Sequence, residues 1–258
     1  MTRRIRAGDA RGVRTLQAQM RVRQLILDGK LRVGQRIPEL KLVERTGVSR
    51  TPVRAALARL AEEGLLEYAA SSGGFLVRAF DESEVYDAID VRGTLEGAAA
   101  RRVAERRPSR GELNELRDCV GAMDALVARQ SLALEQFSDY ARLNDRYHKL
   151  LIQLAGSPAL TRTIERILSL PFASPSAFVL AQADMPNARE NLIIGHDQHR
   201  GILDAIVAGE GSRAESIARE HSNLAQRDFR AAAHRKEWLQ QVAGGNLIQL
   251  RNPSGLRR

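Results

Sequence analysis

The stretch "GVSRTPVRAALARLAEEGLL", Gly47 to Leu66, constrains the fold of this chain more than any other. Ser49 stands where a helix N-cap is needed, with a hydroxyl able to accept from a first-turn N–H. Pro52 is tolerated just after it, because first-turn N–H groups have no helical partners. Val53, Ala56, Leu57 and Leu60 recur at i, i+3, i+4 and i+7, one apolar stripe. At about 100° per residue, Arg50, Thr51, Arg54, Ala55 and Ala58 fall on the other side. Two arginines among small side chains can enter a groove closely and reach phosphates or base edges. Taken alone, the pattern also describes an ordinary amphipathic helix with a solvated basic face.

The flanks favour the first alternative. A helix is expected over Arg11–Asp28, with Leu16, Met20 and Leu27 on one side and Gly29 as its stop. Residues 1–10 before it read as a basic arm. Pro38 opens a short helix through Arg45, ended by Gly47. Short helix, glycine turn, second helix with an outward basic face is the helix-turn-helix pattern, with Gly64 closing it. Leu65–Tyr68 and Phe75–Arg78 are strand-like around Ser71, Ser72, Gly73 and Gly74. That hairpin, if not merely structural, is a wing whose glycine tip lets backbone approach a sugar-phosphate ridge.

Charge placement agrees. Residues 1–80 hold 16 Lys and Arg against 7 Asp and Glu, whereas residues 81–258 hold 24 of each, so the net +9 belongs to the front segment. Such concentration suits a surface that meets double-stranded DNA. An anionic membrane is the rival, but no amphipathic helix carries the aromatic residues that would favour it. No apolar run nears the roughly 18 residues of a span, and no secretory signal follows the basic N-terminus. One cysteine, Cys119, excludes an intramolecular disulfide and fits a reducing interior. A cytoplasmic protein without a membrane partner is expected.

After Phe80 the pattern becomes helical. Asp81 and Glu84 resemble a capping box. Helices are expected over Asp81–Arg106, Ser109–Arg129, Leu134–Ala155, Ser157–Leu170, Ala177–Ala183, Ala188–Ala208 and Ser212–Gln240. Their short connections favour an antiparallel bundle. The fold class is therefore mainly α: a winged helix-turn-helix over residues 1–80, an all-α antiparallel bundle over 81–240, and a loose tail over 241–258.

Several polar residues lie on the bundle's inward stripes. Arg92 and Glu96 project from the stripe of Val85, Ala88, Ile89, Leu95, Ala99 and Val103. Inward charges are costly unless paired. Either the two satisfy each other at i, i+4, or Arg92 anchors a ligand carboxylate that Glu96 helps to orient. His148, His199 and His221 fall on the inner faces of three separate helices, Asn144 beside the first. Each could be a satisfied core histidine, yet imidazoles converging from facing helices make a site for Zn²⁺ or Ni²⁺. His196 lies at the edge of its stripe and is a candidate pocket residue.

"GVSRTPVRAALARLAEEGLL" followed by "GGFLV" resembles the DNA-binding domain of the GntR family of bacterial transcription regulators. "DVRGTLEGAAARRVAER", "LNDRYHKLL", "HRGILDAI" and "AREH" resemble the FCD effector domain of that family's FadR-like branch. "VRGTLEGAAARRVAER" and "PFASPSAF" look most like vanillate-responsive repressors. The resemblance implies a homodimer on a palindromic operator, with a small organic acid, an aromatic carboxylate in the subgroup, bound in each helical domain. It implies operator contacts from Arg50 and Arg54, with Thr51 between them, and minor-groove approach by Gly73 and Gly74. It also implies a metal held by the residues at Asn144, His148, His199 and His221. Many members have aspartate where this chain has Asn144, a neutral and weaker ligand. No nucleophile elbow, P-loop or dinucleotide fingerprint is present, so an enzyme is not expected. A metal-dependent hydrolase using Glu96 as base, and a constitutive architectural DNA-binding dimer, are the rival functions.

Overall fold

A computed structural model describes residues 7–70, 73–129, 132–183, 185 and 187–250. The chain divides into two compact units, residues 1–81 with 244–258, and residues 82–243. Most of the basic arm expected over residues 1–10 lies outside the described residues, as do Ser71, Ser72 and the last eight residues.

In the first unit α1 (Ala7–Leu27), α2 (Glu39–Thr46) and α3 (Arg50–Glu62) precede a hairpin of β1 (Leu66–Tyr68) and β2 (Phe75–Val77). Gly47 makes the turn between α2 and α3. Its φ of 65° is left-handed, and its N–H donates to the carbonyl of Val43, which stops α2. Helix α3 buries the expected stripe of Val53, Ala56, Leu57 and Leu60, together with Pro52, and packs on α1 and α2. Ser49 does hold the N-cap position, but its hydroxyl makes no capping bond.

The inner face of α1 is not the expected one. Leu16 and Met20 are 52% and 64% exposed, and the buried side chains are Thr15, Ala18, Val22 and Ile26. Helix α1 carries two apolar stripes, and the one with the shorter side chains lets its backbone approach α3 closely.

Strands β1 and β2 pair antiparallel, with Leu66 opposite Val77 and Tyr68 opposite Phe75. The Tyr68 and Phe75 rings meet edge to face at 5.3 Å. The C-terminal segment is not loose over its described length. After a 3-10 turn at Gly245–Leu247, β4 (Ile248–Gln249) pairs in parallel with β3 (Phe80–Asp81). Leu247 is fully buried, and the Asn246 amide nitrogen donates to the Ile26 carbonyl at 2.9 Å. Two residues are too short to show strand alternation in sequence.

The second unit holds helices and no strand among its described residues: α4 (Glu82–Arg106), α5 (Asn114–Val127), α6 (Leu134–Leu154), α7 (Pro158–Leu168), a 3-10 turn at Pro171–Ala173, α8 (Val179–Gln182), α9 (Ala188–Ala208), α10 (Gly211–Ala233) and α11 (Lys236–Leu239). The final helix expected as one piece breaks after Ala233. Its core joins Leu116 and Met123 of α5, Phe137, Tyr147 and Leu151 of α6, and Ile202 and Ile206 of α9. Helices α4 and α10 form its most extensive contact. Gly93 allows it: a Cβ there would sit 2.0 Å from Ser222 Oγ. No helix among the described residues is long and apolar enough to cross a membrane.

Candidate functional site

The outer face of α3 carries Arg50, Thr51, Arg54, Ala55 and Ala58, all exposed. Arg54 reaches toward Glu39 at 3.6 Å but stays 70% exposed, so water screens that pair and leaves the guanidinium available. At the hairpin, Gly73 and Gly74 both have positive φ, 64° and 88°. The Ala69 N–H donates to the Gly74 carbonyl and the Gly73 N–H to the Ala69 carbonyl, which fixes the inner rungs of the tip.

The second unit gathers its polar groups inside. Arg92 and Glu96 are each 2% exposed and approach to 3.7 Å. They also have separate partners. Arg92 Nη1 donates to the carbonyl of Ala173 at 3.0 Å, while Glu96 Oε1 lies 3.0 Å from His148 Nδ1. Burial acts to raise the Glu96 carboxyl, but His148 and Arg92 outweigh it and bring it down to about 2. An ionised Glu96 can only accept, so His148 donates from Nδ1. Likewise His221 Nδ1 faces Gln198 Oε1 at 3.0 Å and donates to it. With Nδ1 engaged in this way, each ring leaves Nε2 as the atom for another partner.

The three imidazoles of His148, His199 and His221 come together, with ligand nitrogens all within 4.8 Å of one another. His199 lies 4.3 Å from His221 and 5.5 Å from His148 between ring centroids. Burial lowers the pKa of both His199 and His221, helped by the neighbouring rings. They are neutral at pH 7, the form that ligates a metal. His148 Nε2 and both nitrogens of His199 are buried with no hydrogen-bond partner. Buried polar atoms of native proteins are nearly always satisfied, so these rings fit a guest ion that the tightening of three side chains would enclose. Asn144 is buried one turn before His148, and its amide nitrogen donates to Ser176 Oγ at 3.0 Å, leaving the amide oxygen as its possible ligand atom. Asp145 is exposed and accepts from Ser174.

Beside this cluster lies a cavity of about 40 Å³ lined in part by Arg92, Tyr140, Asn144, Gln182, His221 and Asp228. Pro175 borders it and also a wider recess of about 350 Å³ lined by His148, Ile152, Thr161 and Leu168. His196 does not line the cavity. It is buried against Asp124, Nε2 to Oδ1 2.5 Å, and Arg200 binds the same carboxylate. The two residues that sequence reasoning missed are Gln182 and Asp228. Asp228 follows His221 by seven residues on the same stripe as Ala225, a signal that the periodicity contains. Gln182 sits in a four-residue helix with no periodicity to read.

A winged helix-turn-helix with an outward arginine face, joined to a helical unit that buries ionisable groups around a cavity, defines a transcription regulator that binds DNA. The chain belongs to the GntR family of bacterial regulators, in its FadR-like branch with an FCD domain. Residues 14–76 match the family described as "Bacterial regulatory proteins, gntR family", and residues 87–224 match "FCD domain". Similar proteins include the "Probable D-xylose utilization operon transcriptional repressor" of Paenarthrobacter nicotinovorans, 28% identical over 76% of this chain and 80% of the relative. The "Glc operon transcriptional activator" of Escherichia coli K12 is 28% identical over 81% and 85% respectively. Among solved structures, E. coli McbR/YncC shares the fold with a TM-score of 0.57 at 21% identity, over 86% of this chain and 98% of that one. These families and relatives are transcription regulators and not enzymes.

Proposed function

We propose that this protein is a cytoplasmic, homodimeric repressor released from its operator by a small organic acid. Arg50, Thr51 and Arg54 would read and grip the major groove, with Gly73 and Gly74 at the minor groove. Inside the helical unit, Arg92 would take the acid's carboxylate beside a divalent ion, Zn²⁺ or Ni²⁺, on His148, His199 and His221, with Asn144 as a weak fourth ligand. Glu96 would hold both Arg92 and the His148 tautomer. His196, bound to Asp124, would support His199 from behind and touch no effector.

The observation that carries this reading is the set of unpartnered nitrogens on His148 and His199, next to a buried arginine. A purely architectural domain gains nothing from that arrangement. The cavity at about 40 Å³ holds only a few water-sized guests. An aromatic carboxylate, the class suggested by likeness to vanillate-responsive repressors, would have to open it, and the recess beyond Pro175 offers the room. A ligand that binds the opened arrangement more tightly shifts the bundle toward it, which is the physical requirement for control. Repression is the sign proposed here; the named relatives above include one repressor and one activator.

The test uses the full chain. Metal analysis after chelator-free purification should find about one divalent ion per chain, and His199→Ala should lose it. In mobility-shift assays on the promoter beside its own gene, an aromatic acid should release wild-type protein. Arg92→Met should bind the fragment normally and ignore the acid. Release of Arg92→Met at the wild-type acid concentration would remove Arg92 from the site.

A further inference from the structure

We infer that the effector carries a hydrogen-bond donor as well as its acid group, and that Gln182 and Asp228 read it. This rests on the reading that the helical unit binds an acid at Arg92.

The cavity has two chemically distinct ends. One is cationic or metal-binding, built from Arg92 and His221. The other is built from Gln182 of α8 and Asp228 of α10, each 6% exposed. Their side chains are bonded to each other, Gln182 Nε2 donating to Asp228 Oδ2. That bond uses a donor and leaves acceptors. Gln182 Oε1 is buried with no partner, and among the described residues Gln182 supplies the one side-chain donor on Asp228.

Gln182 Oε1 has no donor and ionised Asp228 has only the one from Gln182, and buried acceptors are costly to leave unsatisfied. Tyr140 and Asn191 also line the cavity, yet neither bonds to the pair. A guest hydroxyl can donate to one of these oxygens, and a guest ammonium to both. A guest lacking it would strand them. Sites built to bind a donor discriminate strongly against analogues that lack it. Burial also pushes the Asp228 carboxyl up to about 7, and the hydrogen bond from Gln182 and the nearby Arg227 offset this only in part.

The experiment compares acids with and without the donor. Benzoate, 3- and 4-hydroxybenzoate and the matching methoxybenzoates are titrated calorimetrically into metal-loaded protein, alongside 3-hydroxy- and 3-methoxypropionate. The methoxy acids keep the oxygen and cannot donate. At least one hydroxy acid should bind about tenfold or more tightly than its methoxy partner, the worth of one hydrogen bond to a charged group. In Asp228→Leu and Gln182→Met the ratio should fall to within about twofold. Gln182→Met leaves the α10 carboxyl in place and carries the test if Asp228→Leu does not fold. Equal binding of hydroxy and methoxy acids to wild type, or a ratio that survives in the variants, overturns the inference while leaving acid binding intact. If none of the acids binds wild type, the acid-effector reading falls and this inference falls with it.

Discussion

The two units use the same side chain in opposite ways. Arg54 is 70% exposed and nearly unpaired, while Arg92 is 2% exposed and held by Glu96 and the Ala173 carbonyl. The first costs little to fold and is useful for what it can reach outside. The second is expensive to bury and is tolerable only with fixed partners or a guest. Residues 1–80 carry the whole charge excess, whereas residues 81–258 are balanced, and among the described residues the buried charged side chains, Arg92, Glu96 and Asp228, all belong to the helical unit. Outward charge therefore marks a macromolecular partner, and inward charge marks a small one.

The largest effect should come from removing the outward charge. Arg50→Ala with Arg54→Ala should weaken specific operator binding by about 2–6 kcal/mol, taking 1–3 for each base-reading arginine. Melting of both units should stay unchanged, because neither side chain is in the core. Retention of specific binding in a mobility-shift assay would mean that the outward arginines of α3 do not read the operator.

The next effect concerns what completes the front unit. Deleting residues 244–258 removes the buried Leu247 and Ile248 and the Asn246 bond to α1. The winged unit should lose about 3 kcal/mol, from the burial of two aliphatic side chains. Denaturant melts followed separately for operator binding and for helicity would read this. Coincident, unshifted transitions would mean that the segment adds no stability.

A smaller, pH-dependent effect belongs to the inward charges. Asp228 has its carboxyl raised to about 7 in the fold, against about 4 in an unfolded chain. Between those values the native state holds a proton that the unfolded state has lost. Its contribution is full below about pH 4 and declines as pH rises toward 7, with a limiting slope of about 1.4 kcal/mol per unit. His199 and His221 are shifted the other way and add the opposite slope below about pH 6.5. The clean quantity is therefore the difference between wild type and Asp228→Asn, both measured by denaturant melts from pH 5 to 8. That difference should move in favour of Asp228→Asn as pH rises.

The smallest effect is expected at Ser49. Its position promises a cap worth about 1 kcal/mol, yet its hydroxyl makes no capping bond. Ser49→Ala should change stability by less than about 0.5 kcal/mol.

Ser49 also shows where the sequence can and cannot be read. The winged unit's elements were legible because glycines punctuate them and a single stripe orients α3. The burial of Val53 and Leu57 and the exposure of Arg50 and Arg54 follow from spacing alone. Helix α1 was misread because two stripes compete, and helix–helix approach, not hydrophobicity, chose Ala18 and Val22 over Leu16 and Met20. In the bundle, Arg92, Glu96 and the three histidines were found as charges on apolar faces. What the stripe could not give was pairing across helices: Glu96 with His148, His196 with Asp124, Gln182 with Asp228. Such contacts depend on helix rotation, which a one-dimensional period leaves free.

The pairing of β3 with β4 has one more consequence. It returns the polypeptide to the unit where it began, so that the helical unit is an insert joined by two strands of chain, at 81–82 and at 243–244. One proteolytic cut after the last helix would leave the halves still tethered through the other junction. Two cuts are needed to set the inserted body free, and between them the winged fragment would survive as two peptides held together by a pair of short strands.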